Sequence, residues 1–501
     1  MENNNLTSIK TFGELKKAKY KSKNIKEELR ENLIFNLKNG INVFEGIWGY
    51  ENTVIPELQK AILSMHHINL LGLRGQAKTR IARMMVNLLD EYMPIVAGSE
   101  LNDDPFAPLS KFGKDTVDQM GDETPIAWVH RSERYNEKLA TPDVSVADLI
   151  GDVDPIKAAT LKLPYSDERV IHFGLIPRSN RCIFAINELP DLQARIQVAL
   201  FNILQEGDIQ IRGFKLRLPL DIQFVFTANP EDYTNRGSIV TPLKDRIDSQ
   251  IITHYPKTLE IGKHITRQEA KVKEGQKTVQ VHEILHNLIE QVAIQARSSE
   301  YVDGKSGVSA RMTISAFENL LSSAELRALQ NNEKTAIARV ADVYGAISAI
   351  NGKIELVYEG ELEGPTYVAQ SLIGKAVREE FLKVFPDIEK NKKAKNSVNL
   401  YKNVVEWFGA GNTLDLLSNE PQKDFLKKLN SVTGLSDLVD NIVGKVTPAE
   451  KVFLMEFALH GIAEFSLISK QQLDEGLVFK DLLDSMLGSD DFGLNDEIDN
   501  Y

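Results

Sequence analysis

Between about residues 46 and 256, short apolar runs alternate with stretches of helical period. Ile68–Leu73, Ile126–His130, Cys182–Ile186, Phe224–Ala228 and Gln250–His254 are too short for buried helices and predict strands. Strands of this kind, separated by helical segments, predict a parallel sheet covered by helices, an α/β domain. From 257 to about 388 the strand signal fades. His282–Ala296 and Thr313–Leu329 keep the helical period, so this stretch predicts a helical domain. A further helical region is expected over about 389–488, after the lysines at 390, 392, 393 and 395. Residues 1–45 are polar and lysine-rich and read as a solvated helical arm. The last stretch, 489–501, holds five acids and no base and reads as a disordered tail.

Composition narrows the class. The chain has 501 residues, 42% hydrophobic and 26% charged, which fits a globular protein of several domains. With 59 Lys+Arg against 71 Asp+Glu the net charge is −12, which argues against a nucleic-acid platform. The single cysteine, Cys182, rules out an internal disulfide and a multi-cysteine zinc site. A reducing, cytoplasmic location is the expectation. The N-terminus shows no apolar signal segment, and no apolar run is long enough to span a membrane.

The strongest local signal is Gly72-Leu73-Arg74-Gly75-Gln76-Ala77-Lys78-Thr79, between the Ile68–Leu71 run and the helical pattern of Arg80–Leu89. A glycine-rich turn between strand and helix lets backbone N–H groups approach phosphate oxygens. Lys78 is placed to reach the β- and γ-phosphates, and the Thr79 hydroxyl to ligate Mg²⁺. Ala77 stands where the motif has its last glycine; alanine is expected to serve only if no positive φ is needed there. The strand Arg181–Ile186 ends in Asn187-Glu188. A P-loop ATPase carries Asp-Glu here, the acid holding the Mg²⁺ shell through water and the Glu polarising the attacking water. Asn187 can accept a hydrogen bond but brings no charge, so weaker Mg²⁺ affinity is expected. The next strand ends at Asn229, a polar group placed to orient water. Thr241–Arg246 puts Arg246 at the end of a short helical segment, and Ser309–Thr313 puts Arg311 at a helix start.

Taken in order, these motifs resemble the AAA+ ATPases, and within them the MoxR and magnesium chelatase ATPase-subunit clade. Gly72–Thr79 matches Walker A, Ile183–Glu188 Walker B, Asn229 sensor 1, Arg246 the arginine finger and Arg311 sensor 2. The segment 138–181 resembles the clade's insert within helix 2, and 207–219, around Gly213-Phe214, its hairpin before sensor 1. The resemblance covers about two-thirds of the chain. It implies an AAA+ P-loop domain over 46–256 and an α-helical lid over 257–388, followed by the helical C-terminal region. It implies ATP and Mg²⁺ as cofactors. ATP binding would fall to Gly72, Gly75, Gln76, Ala77, Lys78, Thr79, Arg80 and Arg311; catalysis to Glu188, Asn229 and Arg246; the metal to Thr79 and, through water, Asn187. It implies a homo-oligomeric ring, commonly a hexamer, with Arg246 acting on the neighbour's γ-phosphate. It also implies a client protein, or assisted metal insertion, with a separate partner bearing a von Willebrand A domain. Alanine before the lysine also occurs in MoxR-like loops; Asn187 is the larger departure.

Two other readings stay open. Asn187 could leave a nucleotide-binding scaffold or switch with little turnover. A transcriptional activator of the AAA+ class would need a Gly-Ala-Phe-Thr-Gly-Ala loop and a C-terminal helix-turn-helix, neither of which the sequence displays. His66 and His67 read as structural groups, Cys182 as a buried small hydrophobe, and Phe408–Gly411 as a helix end. Arg178 and Arg181 read either as local structural groups or as facing a neighbouring subunit's nucleotide.

Overall fold

A computed structural model describes residues 6–164, 167–211, 217–230, 238–388, 400–473 and 476–482, apart from the side chains of Asn202, Asp208 and Gln210. The expected hairpin tip at Gly213-Phe214, the lysines at 390–395 and the acidic tail lie outside the described residues. The chain forms two compact units, one ending at Tyr255 and the other beginning at Pro256.

The first unit opens with helices α1 (Phe12–Lys17), α2 (Ile25–Lys38) and α3 (Val54–Leu63). Strand β1 (Ile68–Leu71) leads through the glycine-rich loop into α4 (Lys78–Met84). Strands β2 (Tyr92–Val96), β3 (Ile126–His130), β4 (Tyr135–Leu139), β5 (Gly151–Val153), β6 (Ile171–Phe173), β7 (Cys182–Asn187), β8 (Asp208–Gln210), β9 (Arg217–Pro219), β10 (Ile222–Ala228) and β11 (Ser249–Ile252) follow. The central sheet has the order β11-β1-β10-β7-β4 and every pairing in it is parallel. The α/β class read from the sequence is therefore the one observed.

Side-chain alternation sends the sheet's residues into two cores. Ile183, Val225, Leu70 and Ile251 join Ile81 and Ala82 of α4 and Leu58 and Ile62 of α3. Phe184, Ile186, Phe224 and Phe226 join Ile196, Leu200 and Ile203 of the helix Ala194–Glu206. With helices on both faces, the central strands are buried and mostly apolar, which is why they stand out in the sequence.

Two expectations need correction. The Ile126–His130 run is a strand, but it pairs antiparallel with β2 in a two-stranded ribbon outside the main sheet. One edge of the sheet is β4, Tyr-Asn-Glu-Lys-Leu, whose residues stay half-buried or exposed. The N-terminal segment is no solvated arm. Ile25, Leu29 and Leu33 of α2 are each 1% exposed and belong to the same core as β1 and α4. Their spacing of four lays one apolar stripe on the sheet; Lys38 faces out, while Lys26 is half-buried against His67. The buried Glu28 in that stripe meets Arg134 in a bidentate ion pair, both bonds 2.7 Å long. The capping box of Asn24 and Glu27 sets where α2 begins.

Within the 138–181 segment, β5 and β6 form an antiparallel pair. Strands β8 and β9, the arms of the expected hairpin, also pair antiparallel, with Ile209 opposite Leu218.

The second unit is mainly helical. Glu283–Ser298, Ala310–Gln330, Pro365–Val384 and Pro448–Glu464 share one core that includes Leu288, Leu320, Val377, Phe381 and Phe457. Residues before and after position 389 contribute to this same core. The region after 389 also carries a sheet absent from the sequence reading: β12 (Leu414–Leu417), β14 (Gly476–Lys480) and β13 (Ser469–Leu473), all antiparallel. Phe408–Gly411 ends the helix Lys402–Gly409, with Gly411 at φ 81°.

Candidate phosphate-loop site

The carboxyl ends of β1, β10, β7 and β4 lie at one edge of the sheet, where Leu71 is opposite Ala228 and Leu139 opposite Asn187. Loops leaving that edge of a parallel sheet are where such folds hold ligands. The glycine-rich loop, Asn187-Glu188 and Asn229 all leave from there.

The loop is fixed from both sides. Gly72 donates its N–H to Ala228 O at 3.1 Å. A Cβ on Gly72 would fall on the Thr253 hydroxyl and the Gln76 side-chain amide, so only glycine fits. Those two side chains bond each other, Thr253 Oγ1 donating to Gln76 Oε1 at 2.7 Å. The Tyr50 hydroxyl reaches Gln76 O at 3.1 Å and His254 O at 2.7 Å, and burial pushes the phenol up to about 12. Gly75 has φ 74°. Ala77 has φ 58° and ψ 14°, in the left-handed region. Alanine is expected to serve only if the loop needs no positive φ; the loop needs one here, and alanine adopts it. The loop keeps the glycine conformation and carries a strain of about 1–2 kcal/mol in it.

Lys78 opens α4 and is 8% exposed. Its ammonium donates to Gly72 O, to Leu73 O at 2.9 Å and to Asn229 Oδ1 at 2.7 Å. Asn229 then donates from Nδ2 to Glu188 Oε2 at 2.8 Å. An asparagine can do this because one end of its amide accepts and the other donates. It couples the loop's cation to the carboxylate of the neighbouring strand end.

Glu188 itself is held at φ 58° and ψ 47°. Such conformations in non-glycine residues concentrate at functional sites, held by their surroundings. The holder is Thr227, whose hydroxyl accepts the Glu188 N–H at 3.2 Å. The same hydroxyl donates to Asn187 Oδ1 at 3.2 Å. Thr79 also donates to Asn187 Oδ1, at 3.4 Å. Asn187 thus offers its oxygen to the loop's hydroxyl, as an aspartate would.

The structure brings together Gly72, Gly75, Gln76, Ala77, Lys78, Thr79, Asn187, Glu188 and Asn229. Arg80 lies half-buried in the first turn of α4. Arg246 stands apart: its Nε donates to Gln205 Oε1 at 3.0 Å and its Nη1 to Pro242 O at 2.7 Å, over the Phe201 ring. Arg311 belongs to the second unit, exposed in the first turn of Ala310–Gln330 beside its cap Ser309.

Arg181 resolves to the structural alternative. It is 5% exposed, its Nη1 donates to Pro94 O at 2.8 Å, and its carbonyl accepts from Arg134. Arg178 is exposed and bonds His172. His67 accepts the Phe224 N–H, and burial drives its pKa to about 3; burial likewise pushes the Cys182 thiol up to about 12. Both are structural, as read.

Sequence reasoning missed Thr227, Tyr50 and Thr253. Thr227 left one signal, a hydroxyl inside an otherwise apolar strand two residues before Asn229. The other two act through contacts with residues about 25 to 180 positions away, which no spacing reveals.

The sequence matches no protein-family model and no curated protein. Solved structures similar to it include NtrX from Brucella abortus (13% identity, TM-score 0.33), which covers 58% of this chain and of which this chain spans 55%. NtrX in complex with ADP gives 12% identity and a TM-score of 0.36, over 73% of this chain and 69% of that one. A candidate ATPase from Cytophaga hutchinsonii gives 19% and 0.28, over 72% and 98%. A model of the complex between subunits BchI and BchD of magnesium chelatase gives 16% and 0.30, over 66% and 96%.

Proposed function

We propose that the chain is a Mg²⁺-dependent ATPase of the AAA+ type, nearest in kind to the MoxR and magnesium chelatase ATPases. The observation that carries this is the line Lys78–Asn229–Glu188 at the carboxyl edge of the sheet, directly beside a glycine-rich loop. Loop, cation, water-orienting amide and carboxylate are the parts a phosphoryl-transfer site needs.

The donor set fits Mg²⁺ of the kind carried in by a nucleotide. Among the described residues no group of three His, Cys, Asp or Glu side chains could hold a metal ion. Mg²⁺ bound with nucleotide needs no such cage, since it takes phosphate oxygens and waters plus one or two protein oxygens. Thr79 would hold it directly and Asn187 through water. The metal would neutralise charge on the β- and γ-phosphates. Lys78 would bind the same phosphates, and its hold on Asn229 fixes that amide. Asn229 in turn holds Glu188, whose carboxylate would take up hydrogen-bond contact with the attacking water and polarise it.

In this reading the chain acts as a homo-oligomeric ring, such as a hexamer, in the cytoplasm. Arg246, half-buried at the end of its short helix, would act on the neighbouring subunit's γ-phosphate. Arg311 would sense the nucleotide from the helical unit. A client, or a metal-insertion target, would be worked on with a separate von Willebrand A-domain partner, and docking would fall to the region after 389. A second reading, a switch that binds nucleotide and turns it over slowly, is favoured by Asn187 alone.

Glu188→Gln and Asn229→Ala test the proposal through Mg²⁺-dependent phosphate release and nucleotide binding measured together. Loss of release by about 10²-fold or more with binding retained is expected. Binding without release in the unaltered protein would favour the switch. Equal release from all three proteins would refute the site.

A further inference from the structure

The strand register sets a carboxylate beside Asn187. In the parallel pair β4 and β7, Glu137 is opposite Ala185 and Leu139 opposite Asn187. Side chains two apart share a face, so Glu137 and Asn187 are diagonal neighbours within reach of a long side chain. On α4, Thr79 and Arg83 are four residues apart and so lie on one helical face.

Glu137 is held from two sides. Arg83 donates from Nε to Glu137 Oε2 at 3.1 Å and from Nη2 to Oε1. The Tyr135 hydroxyl donates to Oε2 at 3.2 Å. Hydrogen bonding to Arg83 keeps the Glu137 carboxyl below its ordinary pKa, with smaller help from Tyr135 and the Asn187 side chain. Glu137 is diagonal to Asn187 in the strand register, and with Asn187 Oδ1 taken by two hydroxyls the end left to face a carboxylate is the N–H end. The other end, Oδ1, receives the hydroxyls of Thr79 and Thr227.

An amide can turn over, and its two ends are opposite in hydrogen-bonding sense. Turned one way Asn187 mimics an aspartate toward Thr79; turned the other it offers N–H where the metal's water shell needs an acceptor. We propose that Glu137 is the positioning residue that selects the useful orientation, and that Glu137 and Asn187 replace the usual acid as a coupled pair. This rests on the Mg²⁺-nucleotide reading above. Glu137 does not restore the missing charge, because Arg83 balances it. It restores the acceptor.

The pairing has a directional consequence. In Glu137→Gln, Arg83 Nε and Tyr135 keep the oxygen at the Oε2 position, Arg83 Nη2 loses its acceptor, and the N–H₂ at the Oε1 position no longer accepts from Asn187. Asn187 must then turn over. In Asn187→Asp, two carboxylates face each other and the charged form is penalised. With both changes, glutamine donates to aspartate and the acceptor faces Thr79 again.

The test uses the full chain in four forms: unaltered, Glu137→Gln, Asn187→Asp, and both. Mn²⁺ affinity is read by electron paramagnetic resonance in the presence of a non-hydrolysable ATP analogue, with thermal unfolding recorded on the same samples. Glu137→Gln is expected to weaken Mn²⁺ binding about 10-fold, the lower end of losses on removing a group that orients a metal's ligand. Asn187→Asp is expected to strengthen Mn²⁺ binding at least about tenfold more when made on top of Glu137→Gln than when made in the unaltered chain, as coupled neighbours do. The same factor in both backgrounds, or no effect of Glu137→Gln, overturns the inference while leaving the ATPase reading intact. No Mn²⁺–nucleotide binding by the unaltered chain overturns both.

Discussion

Glu28→Ala removes one partner of an ion pair that is almost wholly shielded from water. The Arg134 side chain is 1% exposed and that of Glu28 6%. Without the carboxylate, Arg134 Nε and Nη2 keep the Arg181 carbonyl at 3.0 and 2.9 Å, but Nη1 loses its partner and the guanidinium its counter-charge. Asp90 N–H also loses its acceptor, Glu28 Oε1, at 2.6 Å. Breaking a buried pair from one side costs about 3–5 kcal/mol. For a unit of this size that lowers the melting temperature by about 10 °C, at roughly 2–4 °C per kcal/mol. The assay is thermal unfolding followed by tryptophan fluorescence in a Trp407→Phe background, so that Trp48 and Trp128 of the first unit give the signal. The double change Glu28→Leu with Arg134→Met replaces both charges with apolar groups and should recover most of the loss. A cost below about 1 kcal/mol, or a double variant no better than Glu28→Ala, would refute the claim that α2 is part of the first unit's core.

Ala77→Gly relieves the left-handed alanine, and the gain is partly offset by glycine's freedom in the unfolded chain. A stabilisation of about 0.5–1 kcal/mol by urea unfolding is expected; destabilisation would mean the alanine methyl is needed for packing. Asp221 is held up to about 6, chiefly by burial, while Ile25 N–H donates to it at 2.8 Å. A carboxyl with a raised folded pKa stabilises most when protonated, below about pH 4, and that contribution is lost as pH rises through 6. Asp221→Asn should therefore gain on the unaltered protein progressively from pH 4 to pH 7 in denaturation measurements; a gap that does not change with pH would contradict this.

What the sequence made legible follows burial. Strands β1, β7 and β10 lie inside the sheet with helices over them and read as mostly apolar runs. Strand β4 lies at the sheet's edge, so Tyr-Asn-Glu-Lys-Leu carries no apolar signature and gives no strand signal. Ile126–His130 announces a strand, but its pattern does not say which strand it pairs with. Around α2, charged and amide residues and the lysines that precede it hide the stripe of Ile25, Leu29 and Leu33. The loop, Asn187-Glu188 and Asn229 are legible because their chemistry needs fixed residue types at strand ends. The φ of Ala77 and the diagonal placement of Glu137 beside Asn187 are not, because both are set by tertiary register.

Mg²⁺-dependent phosphate release by the full chain, beside Lys78→Ala and Arg246→Ala with assembly state recorded in the same samples, tests the central claim most directly. The account predicts release by the assembled unaltered protein and its loss in both variants while assembly is retained. Release that survives Lys78→Ala would contradict it.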